Sequence, residues 1–186
     1  AFPKEWAQTQ DNLGLAFLGR IRGERAENIE KAIARYEAAL TVRTRETSPQ
    51  DWALTQRHLA DAYVERIRGE RVDNLEKAID HHQAALTALR REESPRDWAN
   101  AQNSLAVTYL DRIRGERADN LEMAIEHLEA ALTVSTREED VDGWARAQNN
   151  LANVYLDRIR GERADNLEKA IAHYEAALTV STRDAL

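Results

Sequence analysis

Residues 98–119 read W-A-N-A-Q-N-S-L-A-V-T-Y-L-D-R-I-R-G-E-R-A-D. The stretch returns, slightly altered, from Trp6, Trp52 and Trp144, so the four tryptophans stand 46 residues apart. The block R-I-R-G-E-R recurs unchanged at 20–25, 66–71, 112–117 and 158–163. Self-similarity at one fixed period is the signature of a stacked repeat array. The repeats run 6–51, 52–97, 98–143 and 144–186, and residues 1–186 are expected to form a single quasi-one-dimensional array.

Each repeat carries two helical stripes. In the first, Trp6, Gln10, Leu13, Phe17 and Ile21 follow one another at steps of three and four. Gly14 and Ala16 lie beside them and leave room for a neighbouring helix. Gly23 is expected to end this helix in the left-handed conformation, with Arg20 and Arg22 in the last turn. A second helix is expected from Glu27–Asn28 through residues 41–45, burying Ile29, Ala32, Ile33, Tyr36, Ala39 and Leu40. Asp73, Asp119 and Asp165 precede Glu76, Glu122 and Glu168 by three residues, the spacing of a capping box. Ser48-Pro49-Gln50-Asp51 and Ser94-Pro95-Arg96-Asp97 read as inter-repeat turns that open the next helix. Asp140-Val141-Asp142-Gly143 lacks the proline and puts glycine in the first turn, where it is expected to make a soft joint. Trp98 is expected to be buried between repeats. Helix pairs of this kind cannot bury both faces alone, but stacked pairs share a core.

Composition narrows the function. The chain is 42% hydrophobic and 32% charged with only seven Gly and three Pro, which suits packed helices and not disorder. No apolar run reaches the ~18 residues of a membrane span; no membrane partner and a cytoplasmic location are expected. Without cysteine there is no disulfide, thiolate metal site or cysteine nucleophile in these residues. The net charge is −7, and residues 98–143 set four Arg and Lys against ten Asp and Glu. A phosphate-backbone binder needs a basic stripe, so no nucleic-acid partner is expected. The chain has no phosphate-binding glycine loop and no serine or threonine in a recognisable motif with histidine and acid. No enzyme activity, catalytic residue or cofactor is expected.

Two columns invite a site. His81, His127 and His173 occupy one repeat position, with His82 beside the first. Packed helices lie about 8–10 Å apart, too far for three imidazoles to share one zinc ion. They read as surface histidines, His82 as partly buried, and no metal is expected. The three arginines of each R-I-R-G-E-R block form either an anion or acidic-peptide rail or local ion pairs. Every repeat supplies acids in the same turn, which favours local pairing.

Leu13-Gly14-x-x-Phe17 followed by Ala32-x-x-x-Tyr36 and Ala39 resembles the tetratricopeptide repeat. Leu59-Ala60-x-x-Tyr63, Leu105-Ala106-x-x-Tyr109 and Leu151-Ala152-x-x-Tyr155 repeat it across essentially the whole chain. Two features depart from the family. The period is 46 residues and not about 34, with the extra residues in the intra-repeat turn and the helix ends. Gln10, Gln56, Gln102 and Gln148 stand where the family's tryptophan usually lies. The flavour is similar to bacterial arrays common in cyanobacteria and filamentous bacteria, which often adjoin a CHAT peptidase domain or sit in signalling proteins. The resemblance implies an all-α, right-handed α-solenoid of four antiparallel helix pairs. It implies a scaffold that binds a peptide or partner protein on the concave face of the first helices. Carried over by position, that face is Asp11, Leu15, Arg57, Asp61, Asn103, Val107, Asn149 and Asn153. No lysine stands where some relatives clamp a C-terminal carboxylate. The alternative is a self-associating spacer, head to tail through uncapped ends, or an engineered array without a dedicated ligand.

Overall fold

The computed structural model describes residues 2–181. They form eight helices and, among the described residues, no strand: α1 (Pro3–Leu18), α2 (Arg25–Leu40), α3 (Pro49–Glu65), α4 (Arg71–Ala88), α5 (Pro95–Asp111), α6 (Arg117–Leu132), α7 (Val141–Asp157) and α8 (Arg163–Ser181). Each repeat is a helical hairpin, as the two stripes imply. Pro49 and Pro95 open α3 and α5 behind Ser48 and Ser94, where proline's missing N–H is not needed and its φ is already helical.

The helix boundaries differ from the expected ones, for a physical reason. The R-I-R-G-E stretch is a loop. Gly23, Gly69, Gly115 and Gly161 do have positive φ, between 78° and 85°, but the preceding helices end several residues earlier. The exposed carbonyls of Leu18, Val64, Leu110 and Leu156 are taken by the guanidinium groups of Arg25, Arg71, Arg117 and Arg163. A buried asparagine then holds the loop. The side-chain amide of Asn74 donates to the carbonyl of Arg68 at 2.9 Å, while its oxygen accepts from Arg66. Asn120 and Asn166 repeat both contacts, and Asn28 donates to Arg22 at 3.0 Å. The loop makes the tight left turn only with glycine at the positive-φ position. Ile21, read as part of a buried stripe, lies in this loop and is fully exposed.

The second helices start at Arg25, Arg71, Arg117 and Arg163, so Asp73, Asp119 and Asp165 fall inside the first turn. Glu24, Glu70 and Glu116 are the N-caps and make no side-chain cap bond, so Asp73 and Asp119 are not the cap residues they were expected to be. Acids in the first turn still complement the helix N-terminus. At the other end, α2 and α6 stop at Leu40 and Leu132 and do not run on. The Thr41 and Thr133 hydroxyls donate back to Ala38 and Ala130 at 2.7 and 2.6 Å.

Gly143 serves the cap of the next helix. Asp140 caps α7 by accepting from the Gly143 N–H at 3.3 Å. A Cβ at Gly143 would meet the Asp140 carboxylate at 2.0 Å. Asp140 also accepts from Ser135 at 2.9 Å. The glycine is what lets this cap fold over the helix end.

The chain divides into two compact units, residues 1–89 with α1–α4 and residues 90–186 with α5–α8. Within each unit the hairpins stack, α2 against α3 and α6 against α7. The first helices touch each other, α1 with α3 and α5 with α7, whereas among the described residues α2 does not touch α4, nor α6 α8. First helices therefore form the inner face of each unit, and second helices splay on the outer one. In the first unit Ile29, Ile33, Tyr36, Leu59 and Tyr63 form the core around Ala32, Ala60, Ala62 and Ala78. The alanines let helices approach closely; each larger residue fills the gap beside them. The tryptophans are not core residues: Trp6 is exposed, and Trp52, Trp98 and Trp144 are half-buried. Ala99, next to Trp98, takes the interior position instead, and Arg91 covers the Trp98 ring at 5.8 Å.

Candidate functional site

Arginines of the R-I-R-G-E-R column pair with acids of the neighbouring repeat, and not with acids of the same turn as expected. In the first unit, Arg66 makes a two-pronged pair with Glu30 of the preceding repeat at 2.8 and 2.9 Å. In the second unit, Arg158 makes the same pair with Glu122. Arg25 reaches Glu65, Arg117 reaches Asp157 at 3.0 Å, and Arg160 reaches Asp119 at 2.5 Å. These pairs tie one repeat to the next and leave no uniform cationic rail. The exposed members are each worth at most about 1 kcal/mol.

The histidine column is structural too. His81, His127 and His173 each bond a glutamine of their own repeat, Gln56, Gln102 and Gln148, through Nδ1 at 2.6 Å. Each stacks on Tyr63, Tyr109 or Tyr155 with ring centroids 5.6 Å apart. They are half-buried and not surface histidines; burial lowers the pKa of all three. Among the described residues, no three His, Asp or Glu side chains converge where a metal ion could sit.

The inner face holds the chemistry that packing does not explain. In the first unit it is a chain of charges. Asp11 on α1 is buried and accepts from His58 Nδ1 on α3 at 3.1 Å. Arg43, also buried, lies 3.5 Å from Asp11 and donates to Thr55 at 2.7 Å. Burial pushes the Asp11 carboxyl up, but hydrogen bonds from His58 and Thr55 and the charges of His58 and Arg43 outweigh it, leaving its pKa below the ordinary value. On the far side of His58, Arg57 approaches the ring Nε2 at 3.4 Å and Asp61 at 3.4 Å. Asp61 Oδ1 then stands 3.8 Å from His82 Nε2 on α4.

His82 is the anomaly in this chain. It is 1% exposed, and neither ring nitrogen has a hydrogen-bond partner. Burial, followed by the charge of Arg57 and the neighbouring His81, lowers its pKa to about 3, so it is neutral. The Tyr36 hydroxyl is likewise buried and unpartnered. Asp61 is pushed up by desolvation, only partly offset by Arg57 and His58, although about a third of its side chain still reaches solvent, 36% by area.

The second unit places amides in the same positions. Asn150 donates to Asn103 at 3.0 Å, copying the His58–Asp11 contact, and the Tyr174 hydroxyl donates to Asn153 at 2.5 Å, copying the His82–Asp61 approach. Asn149 lines a shallow recess with Ala145, Arg146, Tyr174, Ala177 and Leu178.

Of the eight residues inferred for the concave face, the structure therefore turns Asp11 and Asn103 inward, both buried. It leaves Leu15 and Asn149 exposed and Arg57, Asp61, Val107 and Asn153 half-exposed. His58, His82 and Arg43 were not read as site residues. Their signal lay in departures from the repeat: His58 and Arg43 face Asn12, Ser104 and Asn150, and Leu89 and Ser135, at the corresponding positions.

No helix among the described residues is long and apolar enough to cross a membrane. A search of curated proteins returns no match. Residues 6–41 and 144–181 match the family model described as tetratricopeptide repeat. The two intervening repeats carry the same leucine–tyrosine and alanine signature on the same helical hairpins. The chain thus carries tetratricopeptide repeats at 6–41 and 144–181 within a repeating array of helical hairpins.

Proposed function

We propose that this chain is a protein-interaction scaffold that holds a peptide, or an extended segment of a partner protein, along the inner face of its first helices. Tetratricopeptide repeats generally mediate protein–protein interaction and are typically non-catalytic. The proposal places the chain within a larger bacterial signalling or effector protein, in the cytoplasm. The observation that carries the binding reading is the content of the inner face. Arg57, Asp61, Asn149 and Asn153 present charged and amide groups to solvent or to its edge along successive first helices. Side-chain amides and charges spaced along first helices can pair the backbone and side chains of an extended segment.

The test is retention of peptides from a random array by the whole chain. Asn149→Ala is expected to weaken the retained peptides severalfold without moving the melting temperature by more than a degree or two, since its side chain is exposed. Binding that ignores changes on α1, α3, α5 and α7 but fails on Glu126→Ala of α6 would overturn the inner-face reading.

A second reading, head-to-tail self-association, is favoured by one comparison. Ile125 is 6% exposed beneath the next repeat, whereas its counterpart Ile171 on α8 is 49% exposed. A repeat-shaped partner would cover it. Sedimentation of the chain over a concentration series tests this, with Ile171→Glu expected to abolish any association.

A further inference from the structure

The corner of Asp61 and His82 is a contact left open. The same two positions in the fourth repeat are closed by a hydrogen bond of 2.5 Å from Tyr174 to Asn153. In the second repeat the separation is 3.8 Å, and both His82 nitrogens are buried without a partner. An unpartnered buried polar group costs stability, and the third repeat shows the apolar solution, with Leu128 fully buried at the His82 position. Asp61 itself is under-partnered. Arg57 sits at 3.4 Å from it and is shared with His58. Glu65 lies one helical turn further along α3 and adds negative charge.

We propose that Asp61, backed by His82, seats a lysine or arginine side chain of the bound segment; this rests on the inner-face reading above. The carboxylate supplies the charge-assisted acceptor. In a partly desolvated position an incoming cation gains more than it would in bulk water. Leu15, 42% exposed, occupies the first repeat's copy of the Asp61 position and offers an apolar surface for the aliphatic stem of such a side chain. A cation drawing Asp61 into a fixed rotamer lets the His82 N–H close the remaining gap, so His82 is a positioning residue and not a contact. The second unit has Val107 and Asn153 in this column and so cannot offer the same charge. A partner carrying an acidic side chain at this point is disfavoured by Asp61.

The experiment screens a random array of dodecapeptides against the whole chain, its Asp61→Asn variant and its His82→Leu variant. Wild type is expected to enrich lysine or arginine at one position. Asp61→Asn, which keeps shape and removes charge, should weaken the best basic peptide roughly ten- to hundredfold. Replacing that peptide's basic residue by glutamine should cost the same factor, with no further loss when both changes are combined. His82→Leu should weaken it severalfold while raising the melting temperature, a combination that misfolding cannot produce. Peptides retained without basic enrichment, or equally by Asp61→Asn, overturn this inference and leave the inner-face reading standing. Retention of no peptide overturns both.

Discussion

At the scale of single residues, the first repeat shows how one atom decides a packing. Gly14 sits in the interior of α1, where alanine would ordinarily be the better helix former. A Cβ there would meet the Tyr36 ring at 2.5 Å, and the ring is fully buried. The other repeats place alanine at this position opposite His82, Leu128 or Tyr174. Gly14→Ala is therefore expected to destabilise by about 1–3 kcal/mol through overpacking, read as a lower midpoint in urea unfolding. His82 makes the opposite prediction. His82→Leu removes two orphaned nitrogens and is expected to stabilise by about 1–3 kcal/mol. Its pH dependence has a definite sign. The folded-state pKa is about 3 against an ordinary 6.5, so the unfolded chain binds the extra proton. Stability from this group is complete above pH 6.5 and is lost as pH falls toward 3. Thermal melts between pH 7 and 4 should fall more steeply for wild type than for His82→Leu; parallel curves would show that His82 is not the group responsible.

At the scale of elements, the stripes were readable and the joints were not. The second-helix stripe, Ile29 through Ala39, is buried as its period demands, because hydrophobic spacing reports directly on which face is inside. The end of the first helix was misplaced because R-I-R continues the helical spacing of apolar residues, although Ile21 faces solvent. What stops the helix is a long-range competition: arginines seven residues downstream take its last carbonyls. The glycine gave the turn's sign but not its role. The asparagine in Glu27-Asn28-Ile29 and its three copies was the missed signal, since an unvarying amide at a helix start has no helical reason to be there. Asn120→Ala should cost about 0.5–2 kcal/mol by removing the side-chain amide that holds the Arg112 and Arg114 carbonyls. Gly115→Ala should also destabilise, because φ is 79° there. Hydrogen exchange in residues 112–116 should quicken in both variants; unchanged exchange would mean the loop is held by something other than this clamp.

At the scale of the whole molecule, the repeat hides an asymmetry. The same inner positions are ionic in the first unit, with Asp11, His58, Arg57 and Asp61, and amide in the second, with Asn103, Asn150, Asn149 and Asn153. The repeat and the helix pairs were legible because they follow from four copies in register. The candidate site could be read only as a set of positions on the first helices. Which residues on it are spent on internal pairs, as Asp11 is, depends on contacts 47 residues apart in the chain. Binding at the first unit should weaken as salt rises, because exposed charge pairs are screened. Binding at the second should be nearly indifferent to salt. The most direct test of the central claim, that the first helices carry recognition, is hydrogen exchange of the whole chain with and without a saturating peptide from the random array. The account predicts added protection within α1 and α3, or within α5 and α7. Protection confined to α2, α4, α6 and α8 would contradict it.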